Sequence, residues 1–363
     1  MTSNPVLGVI LHAIGGLAAG SFYIPYKGIK NWSWESAWIL GGIFSWIITP
    51  WVVASVLIPD VTTILQAAPA SSLFWSYFFG MMWGVGGLTY GLSMRYLGLS
   101  LGNAVALGFC AAFGTIIPPL FMNQFGVLVS TLSGAVTMTG VFVCISGIAV
   151  SGRAGMLKER ELSDEAKKST LSEFHFVKGI WIATFAGIMS SCMAFAFQAG
   201  KPIAEATMAT GVASVWQNIP VLIVVLFGGF TTNFLWCLFL NFKNKSFGDY
   251  VTAPVLRNLV LAAIAGTTWY MQFFFYGMGT TYMGDYDFAS WTIHMAFIIV
   301  FSTLWGLWFR EWRGTSNRAF GLVLAGIAIL IISTAIIGAG TYMKDMEDTK
   351  APVETAAVAV EAQ

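Results

Sequence analysis

Charge is what this sequence has least of. Only 10% of its 363 residues are Asp, Glu, Lys or Arg, 57% are hydrophobic, and mean hydropathy is +0.74. A soluble domain carries about a quarter charged residues, so this chain reads as a multi-pass membrane protein. Only two stretches look water-soluble, the charged run around residues 154–176 and the Ala/Glu/Val tail 344–363, which is expected to be disordered. Neither is long enough to bury a catalytic core. Cys110, Cys144, Cys192 and Cys237 all lie in apolar runs without C-x-x-C or metal-ligand spacing, as small buried side chains do. H-E-x-x-H, G-x-S-x-G, a P-loop and a Rossmann glycine run are absent as well. "MGDYD" (283–287) carries two aspartates, but two residues apart on one segment they cannot face each other as a protease pair. The sequence therefore points to no enzyme, cofactor, metal or nucleic-acid partner; its partner is the lipid bilayer.

What is present is apolar length. A helix needs about 20 mainly apolar residues to cross the hydrocarbon. Ten segments qualify: Val6–Tyr26, Trp38–Leu57, Leu73–Tyr96, Leu99–Met122, Ala135–Val150, Val177–Gln198, Met208–Phe239, Leu256–Met278, Phe288–Phe309 and Phe320–Met343. The seventh is overlong, with a tilt or a break expected at Pro220. The connections on one side hold 15 of the 18 Lys and Arg residues, and Lys201, Lys344 and Lys350 are the 3 on the other. Positive-inside orientation then places both termini outside. The first segment has Lys27 and Lys30 after it and no basic residue before it, the reverse of a secretory signal.

A frame repeats. "GMMWGVGGLTYGLSMRYLG" (80–98) and "GTTWYMQFFFYGMGTTYMG" (266–284) share G-x-x-W-x6-Y-G-x4-Y-x-G at a separation of 186 residues. One copy lies on the third segment and one on the eighth, the third of each half. Five is odd, so two like halves enter the membrane from opposite sides. The fold expected is all-α, ten transmembrane helices as two inverted five-helix repeats, residues 1–153 and 177–343, joined by the linker 154–176. Trp83 and Tyr90 fall on one helix face, as do Trp269 and Tyr276. Tyr270, Gln272 and Phe273 stand where the first copy has Gly84, Gly86 and Gly87. Aromatic faces with an amide nearby suit a sugar, whose C–H faces stack while its hydroxyls hydrogen-bond. Ordinary helix packing, or an interfacial aromatic belt, is the plainer reading of the same rings.

Ionisable groups inside a bilayer are costly and so are functional candidates. His12 lies on the first segment, with Tyr23 further along the same face. His294 shares a face of the ninth with Asp287, Ser290 and Trp291, a stripe able to hold or pass a proton; alternatively Asp287 caps the helix and His294 satisfies a carbonyl. Glu35 opens the second segment near Lys27 and Lys30, where an interfacial ion pair competes with a coupling role. Lys201 and Glu205, four apart, read as a solvated pair. Gln217 and Asn218 precede Pro220, and Gln198 and Gln272 are further buried amides; these tidy a kink or meet sugar hydroxyls.

"FYIPYKGIKNWSWE" (22–35), "MRYLGLSLG" (94–102), "SGRAGMLKER" (151–160), "WYMQFFFYGMG" (269–279) and "YDFASWTIHM" (286–295) resemble the bacterial L-rhamnose–proton symporters, part of the drug/metabolite transporter superfamily. The likeness runs from about Gly8 to Met343, weakest in the seventh segment and the middle of the linker. It implies a bacterial inner-membrane carrier that imports L-rhamnose, a 6-deoxyhexose, with a proton by alternating access. Another sugar, sodium coupling, or export by a relative in the superfamily are the alternatives. The sugar contacts expected are Trp83, Tyr90, Trp269, Gln272, Tyr276, Tyr23, Gln217 and Asn218; the proton-coupling groups expected are Asp287, His294, His12 and Glu35.

Overall fold

The first helix begins where its chemistry says it should. The Asn4 side chain accepts a hydrogen bond from the Leu7 N–H at 3.1 Å, and Pro5, with no N–H to leave unpaired, stands at the first helical position. The structure is a computed structural model that describes residues 4–121, 123, 125–161, 176–309, 312 and 315–361. Among them are helices and no strand. In order they are α1 (Pro5–Ser21), α2 (Tyr23–Tyr26), α3 (Trp34–Ile43), α4 (Thr49–Leu57), α5 (Val61–Ala67), α6 (Ala70–Phe121), α7 (Phe125–Ser130), α8 (Leu132–Glu161), α9 (Phe176–Ala199), α10 (Lys201–Ala209), α11 (Ile219–Asn244), α12 (Val255–Thr280), α13 (Ser290–Trp308) and α14 (Asn317–Glu361). A π turn, Phe44–Ile48, joins α3 to α4, with the Thr49 N–H bonding the Phe44 carbonyl five residues back, just before Pro50, which cannot donate.

Among the described residues, eight stretches are long and apolar enough to cross a membrane: Pro5–Tyr26, Trp34–Leu57, Leu132–Lys158, Val177–Ala209, Ser214–Asn244, Val255–Thr280, Asp287–Trp308 and Asn317–Lys344. The chain is thus an all-helical, multi-pass membrane protein. The expected third segment falls within the 52 residues of α6, as does the fourth except for Met122, which lies outside the described residues. Along its first part α6 pairs with α9 in opposite numbering: Ser72 Oγ donates to the Ala199 carbonyl, Ser76 Oγ to that of Ala196, and Lys178 Nζ to Tyr96 Oη. Further on the numbering runs the same way. Tyr90, Val105, Ala106, Ile180, Ala183 and Ala186 share one cluster, and Gly187 lies against Ala106 and Phe109.

Two expectations change. The seventh segment starts at Ile219, not Met208: Pro220 sits at the start of α11 and opens the helix instead of breaking it. The tail expected to be disordered is helical as far as Glu361, in keeping with the high helix propensity of Ala and Glu. Most of the linker, residues 162–175, lies outside the described residues.

α6 crosses α11 at glycines. A Cβ on Gly80 would strike the Val225 backbone, and one on Gly228 the Tyr77 carbonyl; Gly84 and Gly229 pack against each other beside Trp83 and Thr232. Absent side chains bring the two backbones together.

At one end of the bundle, residues 30–36 are tied to residues 241–258. Asn258 Nδ2 donates to the Lys30 carbonyl (2.7 Å) while the Lys30 N–H donates to Asn258 Oδ1 (3.2 Å). Asn31 and Trp32 donate to the Ala253 and Thr252 carbonyls. Ser33 gives Asp249 both its N–H (2.8 Å) and its O–H (2.6 Å). Burial pushes the Asp249 carboxyl up, but the bonds from Ser33 and Ser36 outweigh it and hold the group below its ordinary value of 3.8. Glu35, 4% exposed, accepts from Asn244 Nδ2 and Ser246 Oγ, each at 2.8 Å. The ion pair expected for Glu35 is replaced by these neutral donors, because the chain brings the end of α11 against the start of α3.

Candidate functional site

The other end is hollow. α11 spans 26 residues from Ile219 to Asn244, so the ends of the bundle stand about 39 Å apart at ~1.5 Å per residue. A cavity of about 190 Å³ lies at the start of α11, lined by Gly114 and Pro118 of α6, Ala194, Phe197 and Gln198 of α9, Lys201, Ala204, Glu205 and Met208 of α10, Gln217, Asn218, Tyr276 and Thr280 of the α11–α12 region, and Asp287 and Phe288. It is below the roughly 300 Å³ typical of drug-sized ligands, which fits something small.

Its polar groups are oriented. Asn218 Nδ2 donates to the Gly277 carbonyl (2.8 Å) and to Thr280 Oγ1 (3.1 Å). Both donor directions are thereby used, so Oδ1 remains as an acceptor. Gln198, Gln217 and Glu205 line the same space and, among the described residues, make no hydrogen bond to another side chain. Lys201 pairs with Asp287 at 3.0 Å, with exposures of 44% and 29%. The lysine does not pair with Glu205 as its spacing predicts, because the Gly284–Ala289 turn brings Asp287 to the same wall. Asp287 therefore does not cap α13, whose N-cap is Ala289.

Beneath the cavity, Tyr276 is enclosed by aromatic rings. Its centroid lies 5.1 Å from Phe197 and 5.5 Å from Trp291, both edge-on, and 5.5 Å from His12 and 5.2 Å from His294. The imidazoles are 6.3 Å apart and fully buried, and among the described residues no side chain hydrogen-bonds to any of their four ring nitrogens, only the His12 backbone reaching toward the His294 ring. Glycines make the room. A Cβ on Gly279 would come within 2.7 Å of the His12 ring, and one on Gly15 within 3.2 Å of His294. Two buried imidazoles that no side chain partners are an expensive arrangement that structural packing does not require. Tyr276 touches both the cavity and this pair.

Of the residues singled out in the sequence, Tyr276, Gln198, Gln217, Asn218, Lys201, Glu205 and Asp287 meet at the cavity, with His12 and His294 directly behind Tyr276. Trp83 and Trp269 also come together, but around Trp46, at 6.3 and 6.2 Å. These rings, with Phe22 and Trp38, fill the bundle between cavity and tied end. Trp46 comes from the π turn, which no sequence pattern announced. Tyr90 packs in the small cluster with Ala106 and Ala183. Gln272 is buried, its carbonyl against Gly15. Tyr23 is 47% exposed beside Phe22 and Tyr26, and Glu35 lies at the tied end. Sequence reading passed over Phe197 and misplaced Lys201. Ala194, Phe197, Gln198 and Lys201 recur at helical offsets of 3, 4 and 7, and that spacing is the signal by which this wall was findable.

Comparison with known proteins bears on the whole chain. The profile of the L-rhamnose-proton symport protein (RhaT) family matches residues 1–343. The L-rhamnose-proton symporter of Cronobacter sakazakii is 38% identical over 346 residues, 94% of this chain and 99% of its own. That of Klebsiella pneumoniae strain 342 is 38% identical over 340 residues, covering 92% and 97%. That of Yersinia pestis strain Pestoides F is 37% identical over 346 residues, covering 94% and 99%. On a match of this extent, the chain belongs to the L-rhamnose-proton symport protein family.

Proposed function

We propose that this protein imports L-rhamnose together with a proton across the bacterial inner membrane, by alternating access. It acts as a carrier and not as an enzyme. The observation that carries the mechanism is Tyr276, which lines the cavity and contacts both buried imidazoles. Sugar enters the cavity and meets Asn218 Oδ1, Gln217 and Gln198, with Phe197 and Tyr276 presenting ring faces. The proton is held at the His12–His294 pair, where a charge shared between two imidazoles is favoured when the sugar orders Tyr276 above them. By linkage, a proton that strengthens sugar binding must be bound more tightly by the same factor once sugar is present.

In this reading α6 counts as two crossings, since its partner numbering along α9 reverses between Tyr96 and Ala106. With the eight other spans that makes ten, arranged as two inverted halves of five. The Lys and Arg bias puts the tied end in the cytoplasm and the cavity, with both termini, outside. Return to the cytoplasm requires the tie between residues 30–36 and 241–258 to part. Sugar then passes Trp83, Trp46, Trp269 and Gln272, with Tyr90 in the first half taking the place that Tyr276 holds in the second. Tyr23 and Glu35 belong to this inward route, and Asp287, bridged to Lys201, to the outer one.

The test is uptake of radiolabelled L-rhamnose by cells expressing the protein, with and without a protonophore, alongside sugar-driven alkalinisation of the medium. Uptake that the protonophore abolishes supports symport. Uptake that it leaves unchanged, with no alkalinisation, would overturn proton coupling, and no uptake at all would overturn the substrate.

A further inference from the structure

Pro118 stands inside α6, and a proline has no N–H to offer the carbonyl four residues back. That carbonyl belongs to Gly114. Gly114 and Pro118 line the cavity together. Trp291 packs where a Gly114 Cβ would be, and its Nε1–H goes to the Cys110 carbonyl at 3.2 Å, so the indole closes one side of Gly114 without donating to it. A helix carbonyl deprived of its intrahelical donor within a membrane is tolerated where it borders a polar cavity, and backbone carbonyls are among the few polar groups that orient ligands in otherwise apolar pockets.

We infer that the Gly114 carbonyl, freed by Pro118, is a sugar-binding acceptor that takes a hydrogen bond from one hydroxyl of the substrate. This rests on the reading of the cavity as the rhamnose site. It also accounts for the make-up of the wall. Ala194, Phe197, Gly114 and Pro118 are apolar side chains or none, yet a hydroxyl facing them is not left without a partner. The neighbouring proline supplies a built-in control. Pro119 withholds a donor from the Thr115 carbonyl in the same way, but Thr115 is buried away from the cavity, with its Oγ1 2.5 Å from Thr292 Oγ1.

The experiment is a comparison of Pro118→Ala and Pro119→Ala in the full-length carrier, measuring L-rhamnose uptake kinetics and the thermal midpoint of the purified protein. Either change restores a backbone donor and should not lower the midpoint. Pro118→Ala should nonetheless raise the KM about three- to tenfold, the range for one neutral hydrogen bond, and Pro119→Ala should leave it unchanged. Competition by monodeoxy analogues of rhamnose identifies the hydroxyl. One analogue should bind more weakly than rhamnose in the wild type and equally well in Pro118→Ala. An unchanged KM in Pro118→Ala, or a deoxy profile identical in the two proteins, would overturn the inference. If Pro118→Ala does not reach the membrane, Pro118→Gly restores the same N–H and carries the same expectations. Wild-type protein that takes up no rhamnose would instead sink the substrate reading, an outcome distinct from failure of the variant.

Discussion

The two ends of the bundle treat the same kinds of side chain in opposite ways. At the tied end, Asn241, Asn244, Asn258, Ser33, Ser36, Ser246, Glu35 and Asp249 bond to one another or to backbone. At the cavity end, Asn218 keeps an acceptor in reserve, and Gln198, Gln217 and Glu205 face open space. Composition does not distinguish the two sets; both are amides, hydroxyls and carboxylates within or beside apolar helices. The difference lies in which elements the chain brings opposite them. Polar groups that satisfy each other hold a seam shut, and those that do not form a site for something else.

This contrast can be broken by experiment. The largest effect is expected from fixing the seam. Cysteines at positions 33 and 249, joined by a thiol cross-linker, should lower uptake by about 100-fold or more while leaving rhamnose binding intact, as expected if one state of a two-state carrier is trapped. The four native cysteines are buried and should not react. Cross-linked carrier that still transports would show that the seam need not open. Next comes the pair behind the cavity: His12→Gln or His294→Gln should cut sugar-driven alkalinisation at least about tenfold and remove the pH dependence of sugar binding, since imidazole is the side chain suited to carry the proton. Full alkalinisation in both variants would remove the pair from coupling. Asn218→Ala should raise the KM roughly tenfold through loss of an oriented acceptor; an unchanged KM would deny the cavity end its role.

The smallest effect concerns Asp249. Its carboxyl titrates below 3.8 in the folded protein, so what it contributes to the seam is present above the ordinary carboxylate range and fades only as pH falls through the lowered value. The seam should therefore hold unchanged from about pH 5 to 8 and loosen in stronger acid, read as proteolysis or thiol labelling at the tied end. In Asp249→Asn that acid dependence should disappear, and labelling at neutral pH should rise about two- to fivefold, as for a charge-assisted bond replaced by a neutral one. A labelling profile that moves near pH 6 would point to another group.

Much of this was legible beforehand. Apolar length gave away the helices to within a turn for α12 and α13, and the W-x6-Y frame led to Tyr276, the residue at the centre of the site. The histidines stood out because an imidazole in an apolar run has few reasons to be there. What could not be read is how rings are shared out in three dimensions. Trp83 and Trp269 were expected to enclose a sugar, and Trp46 from a neighbouring helix lies between them; nothing in either copy of the frame encodes that third indole. Lys201 was paired by sequence distance, yet a turn 83–88 residues further on supplied a nearer carboxylate. Spacing finds partners along one helix and is blind to those contributed by another.

The glycine crossing of α6 and α11 has one more consequence. Where Gly80 and Gly84 meet Gly228 and Gly229, main chain touches main chain, and Trp83, Thr232 and Asn233 fill the hollows on either side. Contact this close, bridged by Tyr77 to Thr231 and Asn233 to the Gly84 carbonyl, makes the two helices move as one piece. The place where the bundle is stiffest is thus defined by side chains the sequence leaves out.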